Sequence, residues 1–377
     1  MAVTFLEPGG DADFGVGLWP TKQGSPAAVS DFVHGGHRRS IGFPVNTQCL
    51  LVTPVGVVAD AGGRFSAFFY LNALPAAAAK TIAGIGTSAG SRIAVLALTT
   101  GGVLTLTDAS NVQIGTNGKT LSTGRWYRIS MAWTITSTTV NRFEIFVDGA
   151  SSISVTNGTL TRTASSVVIF GSVADTAQDL RVSDIYIDNS NALTDPGNIW
   201  VTAKRPFANG TTNGFTTQIG AGGGSGYGTG HAPQVNERPS NTANGWSVVG
   251  AGSAVTEEYT IEGKNVGDID ISSSTIVDYM GWVIASSVTA ETASIIVGGV
   301  SSNISLSNAN LPFSKMAGSS IYPAGGTDIG IVTSTTLTTV GLYEAGIIVA
   351  YIPRGPLLNS GLDGLSSGGA LNRQPLA

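Results

Sequence analysis

Few residues in this chain are of types that do chemistry. Among 377 residues there are three His, one Cys and 24 acidic side chains. Asp184 and Asp188 share a parity in the run S-D-I-Y-I-D. On a strand such an i, i+4 pair lies about 13 Å apart, too far for a retaining carboxylate pair, which stands about 5 Å apart. Glu144 is alone on its strand, and the adjacent Glu257 and Glu258 point to opposite faces. No G-x-S-x-G elbow occurs, so a serine nucleophile of that kind is not supported. No catalytic residue is expected, and the chain is read as a non-enzyme.

Binding is the chemistry that remains. Trp126 falls on the polar parity of its strand, where an aromatic face can stack on a sugar ring. Trp126, Asp184 and Asp188 are the candidate carbohydrate-binding residues. The plainer alternative for Trp126 is packing beneath a loop or in a subunit interface. Asp175, Asp179, Asp184 and Asp188 offer the oxygen ligands calcium prefers, against the plainer reading of solvated strand ends and turns. His34-Gly-Gly-His37 invites a metal reading but would need a third ligand, and the one other His is His231. No metal and no cofactor is expected.

The elements that must position these groups are strands. In Trp126 to Trp133, Tyr127, Ile129, Met131 and Trp133 share one parity, while Arg128, Ser130 and Ala132 share the other. Phe143, Ile145 and Val147 alternate with Arg142, Glu144 and Phe146, and Asp148-Gly149 closes the run with a turn. Further alternating runs cover Arg64–Leu71, Val255–Glu262 and Ile276–Val288. Gly346–Ile352 is apolar on nearly every position, as a strand buried on both faces would be. The expected organisation is a first sandwich over 1–190, a Gly-rich connector over 191–245, a second β-sandwich over 246–353 and an extended C-terminal arm over 354–377.

Composition agrees with an all-β chain. Glycine is abundant at 51, and charged residues make up only 11%, well under the roughly 25% usual for soluble domains. A net charge of −5 with no basic cluster beyond His37-Arg38-Arg39 argues against a nucleic-acid partner. No apolar run reaches the roughly 18 residues of a membrane span, so no membrane insertion is expected. The single Cys49 forms no internal disulfide, and the N-terminal residues lack the pattern of a signal peptide. A charge-poor surface suits a subunit buried against neighbours, so a homo-oligomer is expected, with the Gly- and Leu-dotted arm docking on an adjacent copy.

The order L-S-x-G-x-W-Y-x-I, then F-x-I-F-V-D-G, resembles the centre of the laminin-G-like, or concanavalin A-like, jelly roll. Val167–Gly171 and Asp179–Asp188 resemble that family's next two strands. Glycosidases on this jelly roll carry an E-x-D-x-x-E strand, which is missing here. Taken whole, the order of parts is similar to virion structural proteins of tailed bacteriophages. That resemblance implies a virion location and a structural role in tail, fibre, baseplate or head decoration. The implied partners are copies of itself, other virion proteins and a host surface glycan. The alternatives are a stand-alone carbohydrate-binding module and a glycan-cleaving enzyme.

Overall fold

The computed structural model describes residues 3–9, 19–35, 37–44, 49–59, 61–88, 91–160, 165–172, 179–220, 230–235, 243–249, 252–266, 269–309, 311–319, 321–333 and 339–354. The architecture is the all-β sandwich fold expected: antiparallel sheets, and one short 3-10 turn at Ala232–Gln234 among the described residues. The expected arm beyond Arg354, and Asp175, lie outside the described residues.

The first sheet runs, strand beside strand, Ala150–Val155, Asn141–Val147, Trp126–Ile135, Gly62–Leu71, Leu180–Asp188, Ser40–Phe43 and Ala27–Val29, with Val3–Glu7 also paired to Leu180–Asp188. Trp133 sits opposite Phe143 and Tyr127 opposite Phe69, so one parity of each strand lines a single face. Asp148 and Gly149 make the tight turn with φ of 54° and 86°, which is left-handed backbone that glycine adopts without steric cost. The second sheet packs on that face. Phe65 and Phe69 meet Phe170 of Val167–Ser172 at 5.5 and 6.2 Å between ring centroids.

The second sandwich pairs a sheet built on Thr339–Ile352 and Thr275–Ser287 with a sheet containing Thr256–Ile261, Asp328–Thr333 and Glu291–Val297. The run expected to be buried on both faces is so from Gly346 to Tyr351, while Ile352 is exposed, and its alternation has a partner on each side. Ile347, Val349 and Tyr351 join the core of the second sandwich. Ile348 and Ala350, with Met280, Trp282 and Ile284, join the apolar cluster of the first. One strand pair thus belongs to both cores.

The connector expected over 191–245 is not a bare bridge. Trp200–Lys204 pairs with Thr339–Ile352, Pro206–Asn213 with Thr256–Ile261, and Thr217–Ile219 with Gly245–Val249. These strands are short and set between glycine-rich turns, so local pattern marked them weakly, and cross-strand pairing fixes them.

Candidate functional site

The three residues expected to bind sugar lie on or beside the outer face of the first sheet, and all three are closed off from solvent. Trp126 is 1% exposed and packs with Phe68 and Tyr70 under Phe32 and Trp200. Its ring lies 5.3 Å from that of His34 and 5.6 Å from that of Tyr70. Asp188 is fully buried and takes Arg64 through both nitrogens, at 3.1 Å from Nε and 2.7 Å from Nη2. Asp184 sits at a bulge between Ser183 and Tyr186, with φ of 51°. It accepts His34 Nδ1 at 2.8 Å, His37 Nε2 at 3.0 Å and the Val201 amide at 2.7 Å. Burial alone would raise its pKa; the nearby His37 and His34 charges and hydrogen bonds prevail and hold the carboxyl well below the ordinary range.

A sugar cannot reach these groups, because the chain itself occupies the face. Arg128 holds Asp195 with two contacts of 2.6 Å and the Gly197 carbonyl at 2.8 Å. Arg181 holds Asp31, at 2.9 Å from Nε, and Asp179 at 2.9 Å. Phe32 stacks on Tyr70 at 4.3 Å and His34 on Phe68 at 3.8 Å. These contacts fasten the stretch from Asp31 to His37 and the stretch from Thr194 to Trp200 over the centre of the sheet. The candidate binding set is thereby corrected to a packing and ion-pair cluster. The two histidines that suggested a metal site hydrogen-bond to the Asp184 carboxylate. Among the described residues no group of three or more His, Cys, Asp or Glu stands ready to hold a metal.

Beyond the covered centre, the same outer face opens into a cleft of about 610 Å³. Thr134, Thr136, Arg142 and Asn191 supply its polar lining, and Ile135, Val140 and Leu193 its apolar lining. Arg142 stands opposite Thr134 across the strand pair. The connector forms the other wall, and it comes this close because residue 62 is glycine. A Cβ there would lie 2.8 Å from Asn191 Oδ1 and 2.7 Å from the Trp133 carbonyl oxygen. Sequence reading placed Arg142 on the polar parity but had no signal for the wall opposite it.

The second sandwich contains its own carboxylate–imidazole pair. His231 Nδ1 lies 2.7 Å from Glu257 Oε1, and the Phe215 amide donates to Oε2 at 2.9 Å. The imidazole stacks nearly parallel on Trp246 at 3.6 Å. Glu257 is fully buried, while its neighbour Glu258 faces outward, where burial and Asp328 raise its pKa. The two carboxylates do point to opposite faces, as their adjacency on a strand requires.

No family model and no curated protein matches the chain. Among solved structures it is similar to the sialidase of Trypanosoma rangeli, at 14% identity and a TM-score of 0.34, over 46% of this chain and 30% of the sialidase. It is also similar to an endo-β-1,4-glucuronan lyase from the fungus Trichoderma reesei, at 14% identity and 0.39, over 52% of this chain and all of the lyase. A third is domain 4 of a GH43 extracellular arabinanase from Geobacillus stearothermophilus, in complex with arabinotriose, at 15% identity and 0.32, over 46% and 79%. This chain therefore spans less than a third of the sialidase's length. The expectation of a tailed-phage virion subunit is not borne out: the solved structures named here are a sialidase, a lyase and an arabinanase domain, and none of these is a phage protein.

Proposed function

We propose that the chain is a non-enzymatic glycan-binding module whose binding cleft is the open groove at the margin of the first sheet. The observation that supports this is the groove's lining. Hydroxyl, amide and guanidinium donors from Thr134, Thr136, Asn191 and Arg142 stand beside the apolar surfaces of Ile135, Val140 and Leu193. A sugar ring has the complementary pattern, with hydroxyls at its edge and C–H groups on its faces. A cleft that sets a few placed polar groups beside apolar side chains has the make-up of a ligand site.

Several observations support binding without cleavage. Of the buried carboxylates, Asp184, Asp188 and Glu257 are each engaged by a histidine or arginine, so these three are not placed to protonate a leaving group. Burial pushes the Cys49 thiol up to about 11, away from the thiolate form a nucleophile needs.

The test is calorimetric titration of the full chain with a panel of soluble oligosaccharides, beside Thr136→Trp, which plugs the groove from an exposed position. Binding that the plug abolishes is the expected result. Absence of binding to any saccharide, or binding untouched by the plug, overturns the reading.

A further inference from the structure

We infer that the groove selects acidic saccharides, and that Arg142 reads the sugar carboxylate. The inference rests on the glycan-binding reading above and narrows its ligand class.

It comes from comparing four arginines on one face. The strands of the first sheet contain Arg64, Arg128, Arg142 and Arg181. Arg64 is answered by Asp188, Arg128 by Asp195 and Arg181 by Asp31 and Asp179. Arg142 alone of the four has no carboxylate partner among the described residues. It is exposed, and it lines an open groove on that face. The nearest acid along its own strand, Glu144, is two residues away, a separation of about 7 Å. Its carboxylate is engaged by the hydroxyls of Ser151 and Ser154. Among the described residues lining the groove, Arg142 carries a formal charge and no carboxylate does.

An arginine fork matches a planar carboxylate with two parallel hydrogen bonds. Three of the four arginines on this face already make contacts of that kind within the chain. The fourth presents the same fork to the groove, where a ligand's carboxylate can occupy it. Thr134, Thr136 and Asn191 lie within the same groove to take the hydroxyls of a uronic acid or a comparable acidic sugar. Charge-assisted pairing at a partly enclosed position distinguishes an acidic sugar from its neutral counterpart more sharply than hydroxyl contacts do.

The test compares an oligouronate, its carboxyl-reduced neutral counterpart and a sulfated neutral oligosaccharide of equal length. Each is titrated into the full chain and into Arg142→Gln and Arg142→Lys. The expected result is oligouronate binding at least tenfold tighter than neutral binding, lost in Arg142→Gln and only partly kept in Arg142→Lys. Neutral affinity should fall far less than oligouronate affinity in either variant, because Arg142 offers a neutral sugar a hydroxyl contact and no charge pairing. An unchanged melting temperature in both variants shows that the fold is retained, as expected for an exposed side chain. Equal affinity for the acidic and neutral sugars overturns this inference and leaves the glycan-binding reading standing. Preference for the sulfated sugar overturns the carboxylate assignment. No binding by any of the three, and none across the wider panel, overturns the glycan-binding reading and this inference with it.

Discussion

The chain has three histidines, and all three end on two buried carboxylates, one in each sandwich. Asp184 and Glu257 are both fully buried, and each accepts imidazole plus one backbone amide from a neighbouring segment. The surroundings differ. His34 and His37 keep 3% and 0% of their side chains exposed, whereas His231 keeps 20% and lies flat on a half-buried Trp246. Asp184 sits on left-handed backbone at a bulge and ties three separate stretches together: His34 to His37, its own strand, and the start of Trp200–Lys204. Glu257 sits in a regular strand. The same acid–imidazole chemistry thus serves as a closed clasp where the sandwiches join and as a more open brace within the second one. What decides between them is how many segments converge on the carboxylate and whether water keeps access to a ring.

The strongest way to break this contrast is Asp184→Ala. It leaves two imidazoles and the Val201 amide without their acceptor in a dry site, and it should cost about 3–5 kcal/mol in denaturant unfolding. A loss under about 1 kcal/mol would remove the clasp. Arg64→Gln is next. It strands Asp188 and should cost about 2–4 kcal/mol by the same measurement.

Glu257→Gln sharpens the comparison from the other side. It keeps shape and one acceptor oxygen, and His231 can turn to solvent, so about 1–2 kcal/mol is expected. A cost equal to that of Asp184→Ala would show that exposure does not separate the two sites.

Acid should weaken the clasp. The Asp184 pKa is depressed in the folded chain, so its stabilisation is present in full above the unfolded carboxylate value of about 3.9 and declines as pH falls from there toward the folded value. Asp195 and Asp31, lowered by Arg128 and Arg181 against the cost of burial, add in the same direction. Thermal unfolding of the native chain should therefore steepen with acid below about pH 4. In Asp184→Asn the slope should be shallower; an identical slope would place the acid response elsewhere. The smallest effect is Arg142→Gln, within about 0.5 kcal/mol of the native chain, because an exposed and unpaired side chain leaves nothing stranded.

Much of this was legible in the residues. Alternation assigned Tyr127, Ile129, Met131 and Trp133 to the core face and Arg128 and Ser130 to the other, and the register bears it out. Apolar residues on both parities marked Gly346–Ile352 as a doubly buried strand. The His34-Gly-Gly-His37 turn and the Asp184–Asp188 run were each visible as unusual, but not their meeting. The contacts join residues 147 and 150 positions apart, and nothing local encodes a partner at that distance. Trp126 was legible as an aromatic on a polar parity, a pattern shared by an exposed platform and by a ring beneath a loop.

What the sequence determined by itself, then, is the strand content and the two faces of each strand, because side-chain alternation is a local property of the extended backbone. What only the tertiary structure decided is which outer face stays open. The stretches carrying Asp31 to His37 and Thr194 to Trp200 are clamped across the first sheet by ion pairs between residues 67 to 150 positions apart. That long-range choice turned the expected sugar-binding residues into a buried clasp and left Arg142 facing a groove with no carboxylate among its described lining residues.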